Sequence, residues 1–276
     1  MPQRIFRTVP ALIIILILPV LLSASAKLVS GTDEKKPVSI GNHPVESNAG
    51  ISQENISKQE ETPTEYPSNG AVILDVPYIN QRRDYPNGCE SVSAVMALQY
   101  LGIDITPDVF IGNHLDMGKA PYFQNGVRYG CDPYEQFPGD PRSSNGWGCY
   151  PQVIKKAVDS MGIEGMSAQV LKDAPLSTLC SAYIDKGIPV VFWATIDMRK
   201  PSSYITWYIE GTDRTHTWTN PFHCLLLVGY DSESYYFNDP WQSKAIAYPR
   251  SAVETAYASV GRHALVIFPE GQFPTA

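Results

Sequence analysis

The chain has 276 residues, 43% of them hydrophobic, with 21 Lys and Arg against 28 Asp and Glu and a formal net charge of −7. That balance, with no basic cluster longer than a pair such as Arg82-Arg83, argues against nucleic acid and other anionic polymers as partners. The five cysteines (Cys89, Cys131, Cys149, Cys180, Cys224) and five histidines (His43, His114, His216, His223, His263) form no Cys-x-x-Cys, His-x-x-x-His or His-Glu-x-x-His spacing, so no metal and no cofactor is expected.

Arg4 and Arg7 give a basic start, residues 11–22 an apolar core and Ala24-Ser25-Ala26 a small-residue cleavage site. Residues 1–26 are therefore expected to be a secretory signal peptide and the protein to be exported. Left uncleaved, the apolar run 9–26 would be about long enough for a membrane anchor, which needs roughly 17–25 residues, and only then is a membrane a partner. Residues 27–70 are polar and poor in aromatic or paired apolar residues, a composition that cannot offset ordering entropy, so a disordered linker is expected. Residues 71–270, about 200 in all, are enough for one domain with a full core.

Within that domain, Asn87-Gly88-Cys89-Glu90 opens a helix expected over 91–101, with apolar residues at helical spacing and a stop at Gly102. Aligned N–H groups at a helix start carry about half a positive charge, so Cys89 is placed where a thiolate is favoured over a thiol. Eight residues upstream, Gln81 ends a short extended segment, and an amide beside a nucleophile can donate to a developing oxyanion. Residues 112–150 read as a long loop without regular structure, and such loops are usually functional, which makes this the expected specificity element.

An odd cysteine count in an exported chain is satisfied by one free thiol and up to two disulfides. Cys131 and Cys149 flank a Gly-, Pro- and Asp-rich stretch, and a bridge there would close about 18 residues and stabilise by roughly 3 kcal/mol. Helices are expected over 151–161, with Pro151 at its first position, and over 176–186, stopped by Gly187. Cys180 lies in the latter and Cys224 in an apolar strand, so both read first as core thiols and second as a bridge. Strands are expected over 188–195, 206–210, 224–230, 235–238 and 264–268, with a turn at 231–234. Helices first and antiparallel strands later describe an α+β domain.

His223 precedes the first strand of the expected hairpin and Asp239 follows the second, so antiparallel pairing folds the two toward each other. The turn register is open from sequence, leaving them between directly opposite and about three residues, or roughly 10 Å, apart. The roles that follow are Cys89 as nucleophile, His223 as base and acid, Asp239 as the group that fixes the imidazole tautomer, and Gln81 with the Cys89 N–H as oxyanion donors. Each residue alone has a plain structural explanation: small thiols bury easily, and Asn-Asp-Pro is a common turn. His263 also leads an apolar strand but has no following turn and carboxylate, and His216 reads as a loop residue.

Tyr78-Ile79-Asn80-Gln81, Asn87-Gly88-Cys89-Glu90-Ser91, Pro189-Val190-Val191-Phe192-Trp193, and the run from Phe222-His223-Cys224 to Gly229-Tyr230 with Asn238-Asp239-Pro240 resemble the bacterial C39-like cysteine peptidase family. The resemblance covers about 190 residues, including the segments 132–141 and 146–151, and implies a papain-like fold in which Gln81, Cys89, His223 and Asp239 take the oxyanion, nucleophile, base and orienting positions. Relatives that trim bacteriocin leaders are usually fused to a membrane transporter, whereas an export signal and a tether are expected here. The function implied is an exported cysteine hydrolase acting on peptide or isopeptide amides of a peptide, protein or cell-wall peptide substrate. A cell-wall amidase or endopeptidase is one alternative. A transglutaminase-like transferase uses the same three residues, but its spacing matches less well. A non-catalytic secreted binding module, with aromatics such as Tyr204, Trp207 and Tyr208 as its surface, is the non-enzymatic alternative.

Overall fold

The computed structural model describes residues 70–272. The signal peptide or anchor expected over 1–26 lies outside the described residues, as does the linker expected over 27–70 except for its last residue. In chain order the first half holds β1 (Val72–Ile73), α1 (Cys89–Tyr100), α2 (Pro107–Asn113), β2 (Met117–Gly118), β3 (Tyr122–Gln124), β4 (Val127–Gly130), β5 (Phe137–Pro138) and α3 (Pro151–Ser160). The second half holds β6 (Met166–Lys172), α4 (Leu176–Ala182), β7 (Val190–Thr195), β8 (Ser203–Ile209), β9 (Thr215–Asn220), β10 (Phe222–Tyr230), β11 (Ser234–Asn238), β12 (Ile246–Pro249), α5 (Arg250–Ser259) and β13 (His263–Pro269).

A seven-stranded antiparallel sheet runs in the order β12-β11-β10-β7-β13-β6, with β1 pairing the end of β10. Its central strands are buried on both faces, which is why 190–195, 222–230 and 263–269 read as continuous apolar runs rather than as alternation. Val191, Trp193, Cys224, Leu226 and Leu265 face a core shared with α1 and α3. Their neighbours Val190, Phe192, Leu225, Leu227 and Val266 face a second core shared with α4 and α5. The α+β class with the antiparallel sheet in the second half is thus the observed fold.

Helix α1 starts at Cys89, two residues earlier than its apolar spacing suggests. All of its residues from 89 to 98 are buried, including Glu90, Ser91 and Ser93. It is an enclosed central helix and not an amphipathic one, and Gly102 ends it at φ +86° as the sequence indicates. The helix expected over 176–186 breaks after Ala182 and continues as a single 3₁₀ turn, Ile184–Lys186, closed by Gly187 in the left-handed region.

Three expectations are corrected by the structure. Residues 112–150 are not structureless: β3 and β4 form a hairpin whose Tyr129 pairs in parallel with Tyr208, building a second sheet of order β3-β4-β8-β9. His216 is not in a loop but on β9, opposite Trp207. The five cysteines are all free, so Cys131 and Cys149 are not bridged. Cys149 is instead fixed in the core, where its carbonyl accepts the Trp193 indole N–H at 2.8 Å.

Where β1 crosses the end of β10, Gly229 has no room for a side chain, because a Cβ there would stand 2.2 Å from the Val72 carbonyl oxygen. Gly229→Ala is expected to cost about 1–3 kcal/mol in urea denaturation through overpacking. A cost below about 0.5 kcal/mol would mean that β1 moves aside freely.

Candidate active site

The site is assembled from the start of α1, the start of β10, and the turn after β11. Ser93, one turn along from Cys89, donates to the Cys224 carbonyl at 3.4 Å, which seats the helix beside the residue that follows His223. The hairpin register places Leu226 opposite Asn238, so Asp239 falls two residues short of facing His223 (226 + 238 against 223 + 239). Their side chains close that offset, with His223 Nε2 2.8 Å from Asp239 Oδ1 and both residues buried.

Asp239 is heavily supported. Oδ1 also accepts the Trp241 N–H at 2.8 Å, and Oδ2 accepts the Tyr248 hydroxyl at 2.9 Å. Burial by itself would raise this carboxyl, but the His223 hydrogen bond and charge, then Trp241 and Tyr248, outweigh it and hold Asp239 below the usual carboxylate range. With Nε2 of His223 engaged, Nδ1 is the nitrogen available for proton exchange.

The turn carrying Asp239 is clamped to the segment before α1. Asn238 Nδ2 donates to the Val76 and Pro77 carbonyls at 3.1 Å each, Tyr78 OH donates to the Asp239 carbonyl at 3.2 Å, and the Gln81 N–H donates to the Pro240 carbonyl at 2.9 Å. Gln81 is buried, and its Nε2 donates to the Tyr85 and Pro86 carbonyls at 3.2 and 3.3 Å, in the turn that leads to Cys89. In this resting arrangement its amide N–H groups brace the turn, and Oε1 has no partner. The 140–146 segment braces it from the other side: Asn87 Nδ2 donates to the Ser143 carbonyl at 2.7 Å and the Asn87 N–H to Pro141 at 3.1 Å.

Cys89 departs from the sequence expectation. It is 8% exposed, and its thiol donates to Glu90 Oε2 at 3.3 Å rather than to His223. Burial first, then the Glu90 charge and the Cys224 thiol, push Cys89 well above the ordinary thiol range. The helix-start field that favours a thiolate is outweighed by desolvation without a cation in contact.

His216 and His263 lie apart from this chemistry. His216 packs against Trp207 with ring centroids 4.8 Å apart, and His263 against Tyr150 at 4.9 Å; burial lowers both to about 4. Glu90 escaped the sequence reading because an acid in the first turn of a helix ordinarily points to solvent, and only the enclosure of α1 turns it inward.

Residues 73–265 match the model of the Peptidase_C39 like family. The chain is 29% identical over 199 residues to the uncharacterized protein YvpB of Bacillus subtilis (strain 168), covering 70% of this chain and 75% of that one. It superposes with a TM-score of 0.63 on a crystal structure from Bacillus anthracis described as a C39-like peptidase, at 27% identity, covering 73% of this chain and 99% of the other.

Tyr248→Phe removes one of the bonds that lower Asp239, so the folded-state carboxyl should rise toward its ordinary value. A depressed carboxyl stabilises above its unfolded value of about 3.9 and loses that contribution as pH falls through the folded value. The variant is therefore expected to lose about 1.5–3 kcal/mol at neutral pH, the range for a hydrogen bond to a charged group. That deficit should shrink below about pH 4 in denaturation at several pH values. A deficit independent of pH would mean that only packing had been lost.

Proposed function

The chain belongs to the C39-like peptidase family, and we propose that it is a cysteine hydrolase that cleaves peptide or isopeptide amide bonds through a thioacyl-enzyme. The observation that carries this reading is the buried His223–Asp239 hydrogen bond of 2.8 Å set beside the helix that begins with Cys89. In the proposed cycle the Cys89 thiol gives its proton to His223 Nδ1, and the sulfur adds to the substrate carbonyl carbon. The oxyanion so formed is met by the Cys89 N–H and by Gln81 once its amide turns from the Tyr85 and Pro86 carbonyls. Collapse expels the amine, which takes the proton from His223; water, deprotonated by His223, then hydrolyses the thioester. Asp239 keeps Nε2 protonated throughout. The substrate class in this reading is a peptide or protein, including cell-wall peptide. The signal-like pattern of residues 1–26 supports an extracytoplasmic place of action.

One observation favours a second reading, a binding module that keeps the fold without turnover: the raised Cys89 thiol, which no binding module needs to lower. Digestion of a peptide library, read by mass spectrometry, separates the two. The peptidase reading expects cleavage by the full chain that falls by roughly 10³-fold or more in Cys89→Ala and in His223→Ala. Peptides retained but uncut by the native chain would establish the binding module.

A further inference from the structure

Glu90 is not needed by the cycle above, yet it is 0% exposed and in direct contact with the nucleophile. Its Oε1 accepts the Cys149 N–H at 2.8 Å and its Oε2 accepts the Cys89 thiol at 3.3 Å. The neighbouring backbone is shaped around it: Gly148 holds φ +138°, and a Cβ there would stand 2.5 Å from Glu90 Oε1. The titratable groups acting on this carboxyl are Cys89 on α1, Cys149 at the end of the 140–149 segment, and Cys224 and His223 on β10. An amide would satisfy the Cys149 N–H equally well and at lower desolvation cost, so simple hydrogen-bond satisfaction does not account for an acid here.

We propose that Glu90 is a positioning residue of the reaction: its carboxyl holds the Cys89 thiol in a resting orientation away from His223, and the nucleophile is released from Glu90 before it attacks. The inference rests on Cys89 being the nucleophile.

The proton count explains the effect. With Glu90 ionised, the S–H proton lies between sulfur and carboxylate, and removing it would leave two adjacent negative charges in a buried site. With Glu90 protonated, its O–H can donate to sulfur and a thiolate is tolerated. Release transfers the S–H proton to His223 Nδ1, which leaves an imidazolium to offset the two anions. Burial lifts the Glu90 carboxyl to about 7, so the change from donor to acceptor falls near neutral pH. Glu90 is ionised above that value, and there the thiol is held most firmly.

The test is the rate of Cys89 alkylation by iodoacetamide against pH in the native full chain, Glu90→Gln and His223→Ala, with hydrolysis of a cleaved peptide in parallel. Glu90→Gln keeps an acceptor for Cys149, removes the charge and turns an N–H toward sulfur. It is expected to label about tenfold faster above neutral pH, the equivalent of one pKa unit. Its kcat profile should lose the inflection near 7 while KM stays unchanged. A purely structural Glu90 would lower the melting temperature and leave both profiles in place, which overturns the proposal.

His223→Ala separates the two readings. If it leaves labelling unchanged while Glu90→Gln accelerates it, the Glu90 contact stands and the nucleophile assignment fails. If it slows labelling while Glu90→Gln matches the native chain, the Glu90 proposal fails alone. Should Glu90→Gln not fold, infrared difference spectra of the native chain and of Cys89→Ala decide. The carboxyl band that titrates near neutral pH must move when the thiol is removed, and an unmoved band overturns the proposal.

Discussion

The enclosure of α1 is the constraint on which the other features of this protein depend. A helix with residues 89–98 all buried has no solvent face, so a polar side chain on it must find a partner inside the protein or stay unsatisfied, as the Ser91 hydroxyl does. Ser93 finds the Cys224 carbonyl, and Glu90 finds the Cys149 N–H and the Cys89 thiol. Those bonds hold the helix against β10 on one side and against the 148–149 backbone on the other. Apolar burial supplies the bulk of the attachment, at about 1.5–3 kcal/mol for each large side chain such as Val92, Met96 or Leu98. The polar bonds contribute less energy, but they are directional and they set where Cys89 stands.

The second half of the site is held by a different means. His223 sits on a central strand paired along β7, from Phe222 opposite Thr195 to Leu227 opposite Val190, so its backbone has little freedom. Asp239 lies in a turn, where position must come from hydrogen bonds. Asn238 is tied to the Val76 and Pro77 carbonyls and receives the Ala245 N–H, while the Gln81 N–H holds the Pro240 carbonyl. The same few residues, 76–81, therefore link the Asp239 turn to the turn that precedes Cys89. The strand and the helix are linked through one short strap, and the alignment of His223 and Asp239 with Cys89 depends on that strap.

Much of this was legible in the sequence wherever the signal is local. Helix 151–160 follows from Pro151 and its apolar spacing, and the buried strands follow from β-branched and aromatic runs. The four candidate residues were chosen through motif order, since each is bracketed by a recognisable element. What was missed is only partly due to partners distant in the chain. The β3–β4 hairpin turns on Asn125-Gly126, both at positive φ, a local signal present in the sequence, whereas the pairing of β4 with β8, about 80 residues later, leaves no local mark. His216 becomes a strand residue because β9 pairs β8, and Ser181, Ala182 and Tyr183 leave no local mark of the break that shortens α4. The two-residue offset between His223 and Asp239 was equally out of reach, because it rests on a bulge between Leu227 and Gly229.

The chemistry at Cys89 shows how one local rule is overturned by its setting. A cysteine at a helix start is favoured as thiolate by about half an elementary charge, but only where solvent or a cation shares the task. Here solvent is excluded, and the nearest ionisable group is an acid. The imidazole that could balance the thiolate is bonded to Asp239 through Nε2, and the thiol is hydrogen-bonded to Glu90 in the resting arrangement. Desolvation and like charge thus act together against ionisation, and the helix field is too weak to offset both. The expectation of a low thiol pKa failed because it treated the helix end as exposed. The same enclosure that positions Cys89 also keeps it protonated, so in the proposed hydrolase activation must come from a change of partner rather than from the static field of the fold.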